Sequence, residues 1–141
     1  MNEQALQNMM YDIASSGCDV IRCVLARMKS GRLRNELSER LKSCSEESRR
    51  LRSALKSSRR TLGAMPFLPR MFGRMVITLG LMRDPREKHI ARIMMHGASK
   101  GIRKLRRALK KAKRASSSAV CQARDMLERE EHYLDSLKKY L

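Results

Sequence analysis

Between residues 100 and 114, nine of fifteen side chains are Lys or Arg: Lys100, Arg103, Lys104, Arg106, Arg107, Lys110, Lys111, Lys113 and Arg114. No Asp or Glu interrupts them. Cations at this density concentrate anions rather than make or break bonds, and their natural counterparts are nucleic-acid phosphates, anionic lipid or an acidic protein. The other groups able to do chemistry are scattered. Cys18, Cys23, Cys44 and Cys121 include no pair with the two-residue gap of a zinc knuckle or a redox motif, so they read as reduced thiols packed in helices. His89, His96 and His132 lie far apart in the chain and read as surface or partly buried side chains rather than general bases. There is no glycine-rich phosphate loop, nucleophile elbow or zinc motif. A non-enzymatic protein without a cofactor is the expectation.

The basic bias extends through the whole chain. Its 141 residues carry a formal net charge of +18, yet 42% are hydrophobic, enough for one domain to bury a real core. Aromatic residues make up only 4% and Trp is absent, so platforms for stacking unpaired bases are poorly supplied. The first residues, MNEQALQNMM, have neither the basic start nor the apolar run of a secretory signal. The longest uncharged apolar run, residues 75–82, falls well short of the roughly 20 residues that span a bilayer. A cytoplasmic location with no transmembrane segment is expected.

The elements that must position these groups are helices. Leu6, Met9, Met10, Ile13, Val20, Ile21, Val24, Leu25 and Met28 recur with helical spacing and predict a first helix over 3–29, ended by Ser30 and Gly31. Leu33, Leu37, Leu41, Cys44, Ser48, Leu51, Leu55, Ser58 and Leu62 predict a second over 32–62, and the short turn between them makes the two antiparallel. Pro66 and Pro69 then break regularity before a short apolar helix over 70–82, which reads as a crossover. Asp84, Pro85 and Glu87 combine an Asp cap, Pro at the first helical position and Glu three residues after the cap, and so predict a third helix over 85–113. Its stripe is Ile90, Ile93, Met94, Gly97, Ala98, Gly101, Ile102, Leu105 and Leu109, with Gly97 and Gly101 allowing close helix contact. The serines at 116–118 cap a fourth helix over 118–140, with Val120, Ala123, Leu127, Glu130, Leu134, Leu137 and Leu141 inward. No alternating strand pattern competes. An all-α four-helix bundle follows, and the long connection between the second and third helices allows them to run parallel, in up-down-down-up order.

This layout, together with the closing segment ARDMLEREEHYLDSLKKYL, resembles a divergent ferritin-like (rubrerythrin-like) bundle, similar to small uncharacterised bacterial members. The resemblance implies a homodimer, and it implies looking for two metal ions held by a Glu from each of two helices and a Glu-x-x-His from each of the others. The chain departs from that set. Glu46 and Glu47 are followed three residues on by Arg49 and Arg50, and Arg129 stands three residues before His132. A guanidinium at a ligand position repels the metal. No metal is therefore expected; Glu128, Glu130, His132, His96 and Glu47 are the residues from which a rearranged site could be built. Glu130 falls on an apolar stripe, level with Gly17, Ser48 and Gly97 if the helices lie side by side. The alternative is that Glu130 pairs with an Arg.

Two functions follow as expectations. In the first, Arg49, Arg50, Arg52, Lys56, Arg59 and Arg60 of a parallel second helix join the 100–114 run to make one basic pole. That pole binds a polyanion such as nucleic acid through Arg103, Lys104, Arg106, Arg107, Lys110, Lys111, Lys113, Arg114, Arg59 and Arg60. The bland counterpart is that these cations only solvate outer helix faces, with Glu36, Glu39, Glu46 and Glu47 offsetting several of them. In the second, the protein is a ferritin-like metal-binding protein or oxidoreductase with a degenerate site. A third class, peripheral membrane attachment, would use Arg70 and Arg74 beside Phe72, Val76 and Leu79.

Overall fold

A computed structural model describes residues 2–57, 86–112 and 115–141. Among them are four α-helices, α1 (Glu3–Leu25), α2 (Arg32–Ser57), α3 (Glu87–Lys111) and α4 (Ser117–Leu137), with a closing 3-10 turn at Lys138–Tyr140 and no strand. The expected crossover at 70–82, the Asp84 and Pro85 signals, and Arg59, Arg60, Lys113 and Arg114 lie outside the described residues, as do Arg70, Arg74, Phe72, Val76 and Leu79.

Each helix begins where its local chemistry allows. The Asn2 side-chain oxygen accepts a hydrogen bond from the Ala5 amide at 2.8 Å, and the Ser116 hydroxyl accepts one from Ala119 at 3.1 Å. Both satisfy amide donors that an α-helix leaves orphaned at its start. The third helix starts at Glu87 rather than at 85, because Arg86 is extended (φ −66°, ψ 147°) and occupies the cap position without a capping hydrogen bond from its side chain. It stops at Lys111 rather than 113, because Ala112 leaves the helical region at ψ 43°. The first helix is four residues shorter than expected. Beyond Leu25 the Arg27 amide bonds to Val24, a three-residue spacing that tightens the chain into the turn. The same tightening, with Leu141 donating to Lys138, converts the end of α4 into the 3-10 turn.

Two groups of buried side chains fix the topology. One unites Ile21 and Val24 late in α1, Leu33 and Leu37 early in α2, Ile90 and Met94 early in α3, and Leu137 at the end of α4. The other unites Leu6 and Met10 early in α1, Leu51 late in α2, Leu105 and Ala108 late in α3, and Ala119 and Ala123 early in α4. The helices therefore run up, down, down, up, with α2 parallel to α3. Close backbone approach occurs within the α1–α2 and α3–α4 hairpins and between α1 and both α3 and α4. Small inward residues such as Ala14, Ala98, Ala119 and Ala123 permit that approach, since the side chains at a helix contact set its distance. On α2 and α3 the apolar positions expected from spacing are largely those buried. On α4 the buried line is Ala119, Ala123, Met126 and Leu137, one position around from the expected Val120, Leu127 and Leu134, which are only partly buried. Leu141 is exposed.

The two glycines expected to let helices approach behave differently. Gly101 is buried, and a Cβ added there would lie 3.4 Å from the Ile13 side chain. Gly97 is exposed, with nothing within 4 Å of an added Cβ, so it makes no helix contact. Its only structural effect is the backbone entropy that glycine costs inside a helix. Gly97→Ala should accordingly raise unfolding free energy by about 1 kcal/mol, whereas Gly101→Leu should lower it by driving a bulky chain into Ile13; urea unfolding of the two variants checks both.

Candidate functional site: a basic pole and a paired polar centre

The cationic half of α3 follows from its amphipathic pattern. With Ile102, Leu105 and Ala108 buried, Lys100, Arg103, Lys104, Arg106, Arg107, Lys110 and Lys111 all fall on exposed surface. Arg106 pairs with Glu131 of α4 at 2.8 Å, and Lys111 also has an interaction partner. Arg103, Lys104, Arg107 and Lys110 make no ion pair with a described residue. Because α2 and α3 are parallel, Arg49, Arg50 and Arg52, all exposed, lie at the same end of the bundle. They do not lie beside the α3 run. Two hairpins held together chiefly through α1, α3 and α4 leave α2 and α3 on opposite corners. The pole thus consists of two basic ridges separated by the starts of α1 and α4. Lys110 and Lys111 in the last turn of α3 also complement the negative end of its macrodipole, which accounts for some of this charge without a partner.

At the other end, cations are laced to carboxylates. Arg32 and Lys139 both reach Glu36, Lys138 meets Asp135, and Arg22 meets Asp19. The difference between the two ends is therefore one of neutralisation as well as of charge count.

The residues from which a metal site could be built are not brought together. Glu128 and His132 form an exposed pair at 3.9 Å on the outer face of α4, His96 is exposed on α3, and Glu47 pairs with Arg129. Glu130 does point inward, where it meets Arg40 of α2; the two side chains retain only 12% and 18% exposure. Among the described residues no group of three or more His, Cys, Asp or Glu could hold a metal ion. The expected small polar layer is also different: Gly97 faces out, and Gly17 lies over Cys44. No family model, curated protein or solved structure matches this chain. The site is therefore read from its own geometry.

Arg40 and Tyr133 are the residues that spacing overlooked. The Arg40 guanidinium lies over the Tyr133 ring, 4.3 Å from its centroid, a cation–π contact inside the α2–α4 seam. Burial pushes the Glu130 carboxyl above its usual range even though Arg40 favours its charged form. Burial opposes the Arg40 charge too, but the facing carboxylate, together with Cys44 and Tyr133, outweighs it and raises the guanidinium. Burial likewise pushes the Tyr133 phenol up. A signal for all three exists in the sequence. Positions 37, 40 and 44 on α2 and 126, 130, 133 and 137 on α4 step by three and four, so an Arg and a Glu each occupy one seam position.

The pair performs no evident bond chemistry, since each charge is already engaged by its opposite. Glu130→Ala should cost about 3 kcal/mol, because it strands a largely buried guanidinium, while Arg40→Met with Glu130→Leu should recover most of that loss. A raised carboxyl means that the folded state binds its proton more tightly than the unfolded state. Wild type should therefore lose stability relative to Glu130→Gln as pH rises from the ordinary glutamate value of 4.5 through the higher folded one. Denaturant midpoints for both proteins, measured across that range, check the sign.

Proposed function

We propose that this chain is a non-enzymatic basic helical bundle that binds a polyanion, with nucleic acid as the first class to test, through the cationic ridge of α3 and the basic end of α2. The observation that supports this reading is the cluster Arg103, Lys104, Arg107 and Lys110, exposed and without an ion-pair partner among the described residues, at the end of the bundle that also carries Arg49, Arg50 and Arg52. An unneutralised ridge on a helix releases condensed counterions when it meets a phosphate backbone, so its affinity falls steeply with salt. With few aromatic residues and none on that face of α3, contact is made with phosphates rather than base edges, and sequence preference is weak. The arrangement of two ridges on opposite corners favours an extended polyanion over a small one.

A cytoplasmic setting and a homodimer belong to the same proposal; the dimer rests on the ferritin-like resemblance alone, and sedimentation of the purified chain reads it directly. No described helix is long and apolar enough to cross a membrane. The metal-binding alternative has a separate readout. Iron or manganese retained by the purified protein would replace the present reading.

The binding test uses labelled duplex DNA and RNA and follows anisotropy. For about four phosphate contacts, affinity should fall about 100-fold between about 50 and about 200 mM salt. Combined reversal of Arg103, Lys104, Arg107 and Lys110 to Glu should abolish binding while leaving helicity intact, because none of the four contributes to the buried core. Absence of binding at low salt, or binding unchanged by the reversal, overturns the proposal.

A further inference from the structure

The seam between α1 and α2 contains two thiols that the polyanion reading does not use. Cys18 and Cys44 stand on facing positions of the antiparallel hairpin, 3% and 4% exposed, in the same cluster of buried side chains. The α1 backbone packs against Cys44 at ordinary van der Waals distance, since a Cβ added at Gly17 would sit 3.9 Å from its sulfur. Cys18 is also 3.8 Å from the Ser45 hydroxyl, to which the largely exposed Arg22 donates a hydrogen bond at 3.5 Å. Both cysteines are free. Elsewhere, Cys23 is partly buried and Cys121 is exposed.

The geometry points to Cys18 and Cys44 as an oxidisable dithiol that a small peroxide-class oxidant converts into an intramolecular disulfide clamping α1 to α2. Cys18 is the attacking group. Its thiol is lowered to about 6, chiefly by a hydrogen bond with Cys44 and further by Ser45 and the Arg22 guanidinium, while the Cys44 thiol is pushed up by its contact with Cys18 and by burial. One sulfur is thus primed as thiolate and the other holds its proton. The Cys18 thiolate attacks one peroxide oxygen, the O–O bond breaks, and the departing hydroxide takes a proton to leave as water. Cys18 is then a sulfenic acid. The Cys44 sulfur displaces its hydroxyl, forming the S–S bond, and the Cys44 proton leaves with that hydroxyl as a second water. Two thiols lose two electrons and one peroxide becomes two waters. Ser45, Arg22 and Asp19 are the polar side chains on the Cys18 side of this pair, and Arg40 and Glu130 those on the Cys44 side.

The test begins with the wild-type chain, equimolar hydrogen peroxide, alkylation in denaturant and peptide mapping. The expected result is a monomer lighter by two hydrogens, with Cys18 and Cys44 protected from alkylation and recovered as one cross-linked peptide that a reductant separates. The oxidised monomer should also unfold at higher temperature than the reduced one, because the bridge restricts the unfolded chain. In a Cys44→Ser variant the same exposure should leave Cys18 trappable by dimedone as a sulfenic acid, with no intramolecular bridge. Alkylation of both Cys18 and Cys44 after peroxide exposure of the wild type overturns the inference, as does a disulfide map in which only Cys23 or Cys121 is bridged. Because the decisive comparison is made on the unmodified chain, poor folding of a variant does not rescue the idea.

Discussion

The contact between Arg40 and Glu130 constrains the register of a topology that the two apolar clusters set. Each hairpin buries apolar side chains toward both of its ends, and apolar contacts of that kind tolerate a slip of one turn if the volumes still match. A guanidinium and a carboxylate at 18% and 12% exposure do not. Displacement by one turn would leave a charge without its partner in a poorly hydrated seam, at a cost of several kcal/mol. The contact also sits in a series. Along α2, Glu36 meets Lys139 of the closing 3-10 turn, while Arg40 and Glu47 meet the adjacent Glu130 and Arg129 of α4, so one seam is aligned antiparallel by charge. Such pairs add little net stability; what they supply is intolerance of alternatives.

That alignment has a consequence for the surface. Once α2 is antiparallel to both α1 and α4, and α3 is antiparallel to α4, α2 and α3 must point the same way. Their C-terminal halves, rich in Arg and Lys, then share one end. The same topology keeps the two ridges on separate corners, with like charge kept apart across the pole. At the opposite end Glu36, Asp135 and Asp19 stand within reach of the local cations. Net charge is a property of the composition, but the unneutralised patch is a property of which helix ends meet.

The fold was largely legible because burial repeats with the helix. Leu33, Leu37, Leu51 and Leu55 of α2 and Ile90, Met94, Ile102 and Leu105 of α3 were recognisable from spacing and are buried. On the fourth helix spacing places Ala123, Glu130 and Leu137 on the inner face, where they lie, but selects Val120, Leu127 and Leu134 in place of Ala119 and Met126, which are less conspicuous than the residues beside them. Seen as a seam with steps of three and four, that face also contains Glu130 and Tyr133. Spacing puts Glu130 on the inward stripe, but hydrophobicity discounts Arg40 and Tyr133, although an Arg–Glu pair and an aromatic ring can fill such positions. For the metal-ligand candidates, pairing of Glu130 with an Arg is among the readings the sequence allows, but which Arg is not legible in it. Glu128, Glu130 and His132 lie within five residues of one another, but on a helix those offsets point two of them outward and one inward.

By itself the sequence determined the helical class, the antiparallel first hairpin, the cap at Ser116 and the basic character of the outer face of α3, because each depends on neighbours within a few turns. Only the tertiary structure decided that α2 runs parallel to α3, that Arg40 neutralises Glu130, that Gly97 faces solvent while Gly101 meets Ile13, and that Cys18 lies against Cys44. These are pairings between residues far apart in the chain, and local periodicity states which face of a helix is buried without stating what it is buried against. The basic run at 100–114 stands on both sides of that division: its charge was written in the chain, and its position at one end with the basic half of α2 was set by how the hairpins assemble.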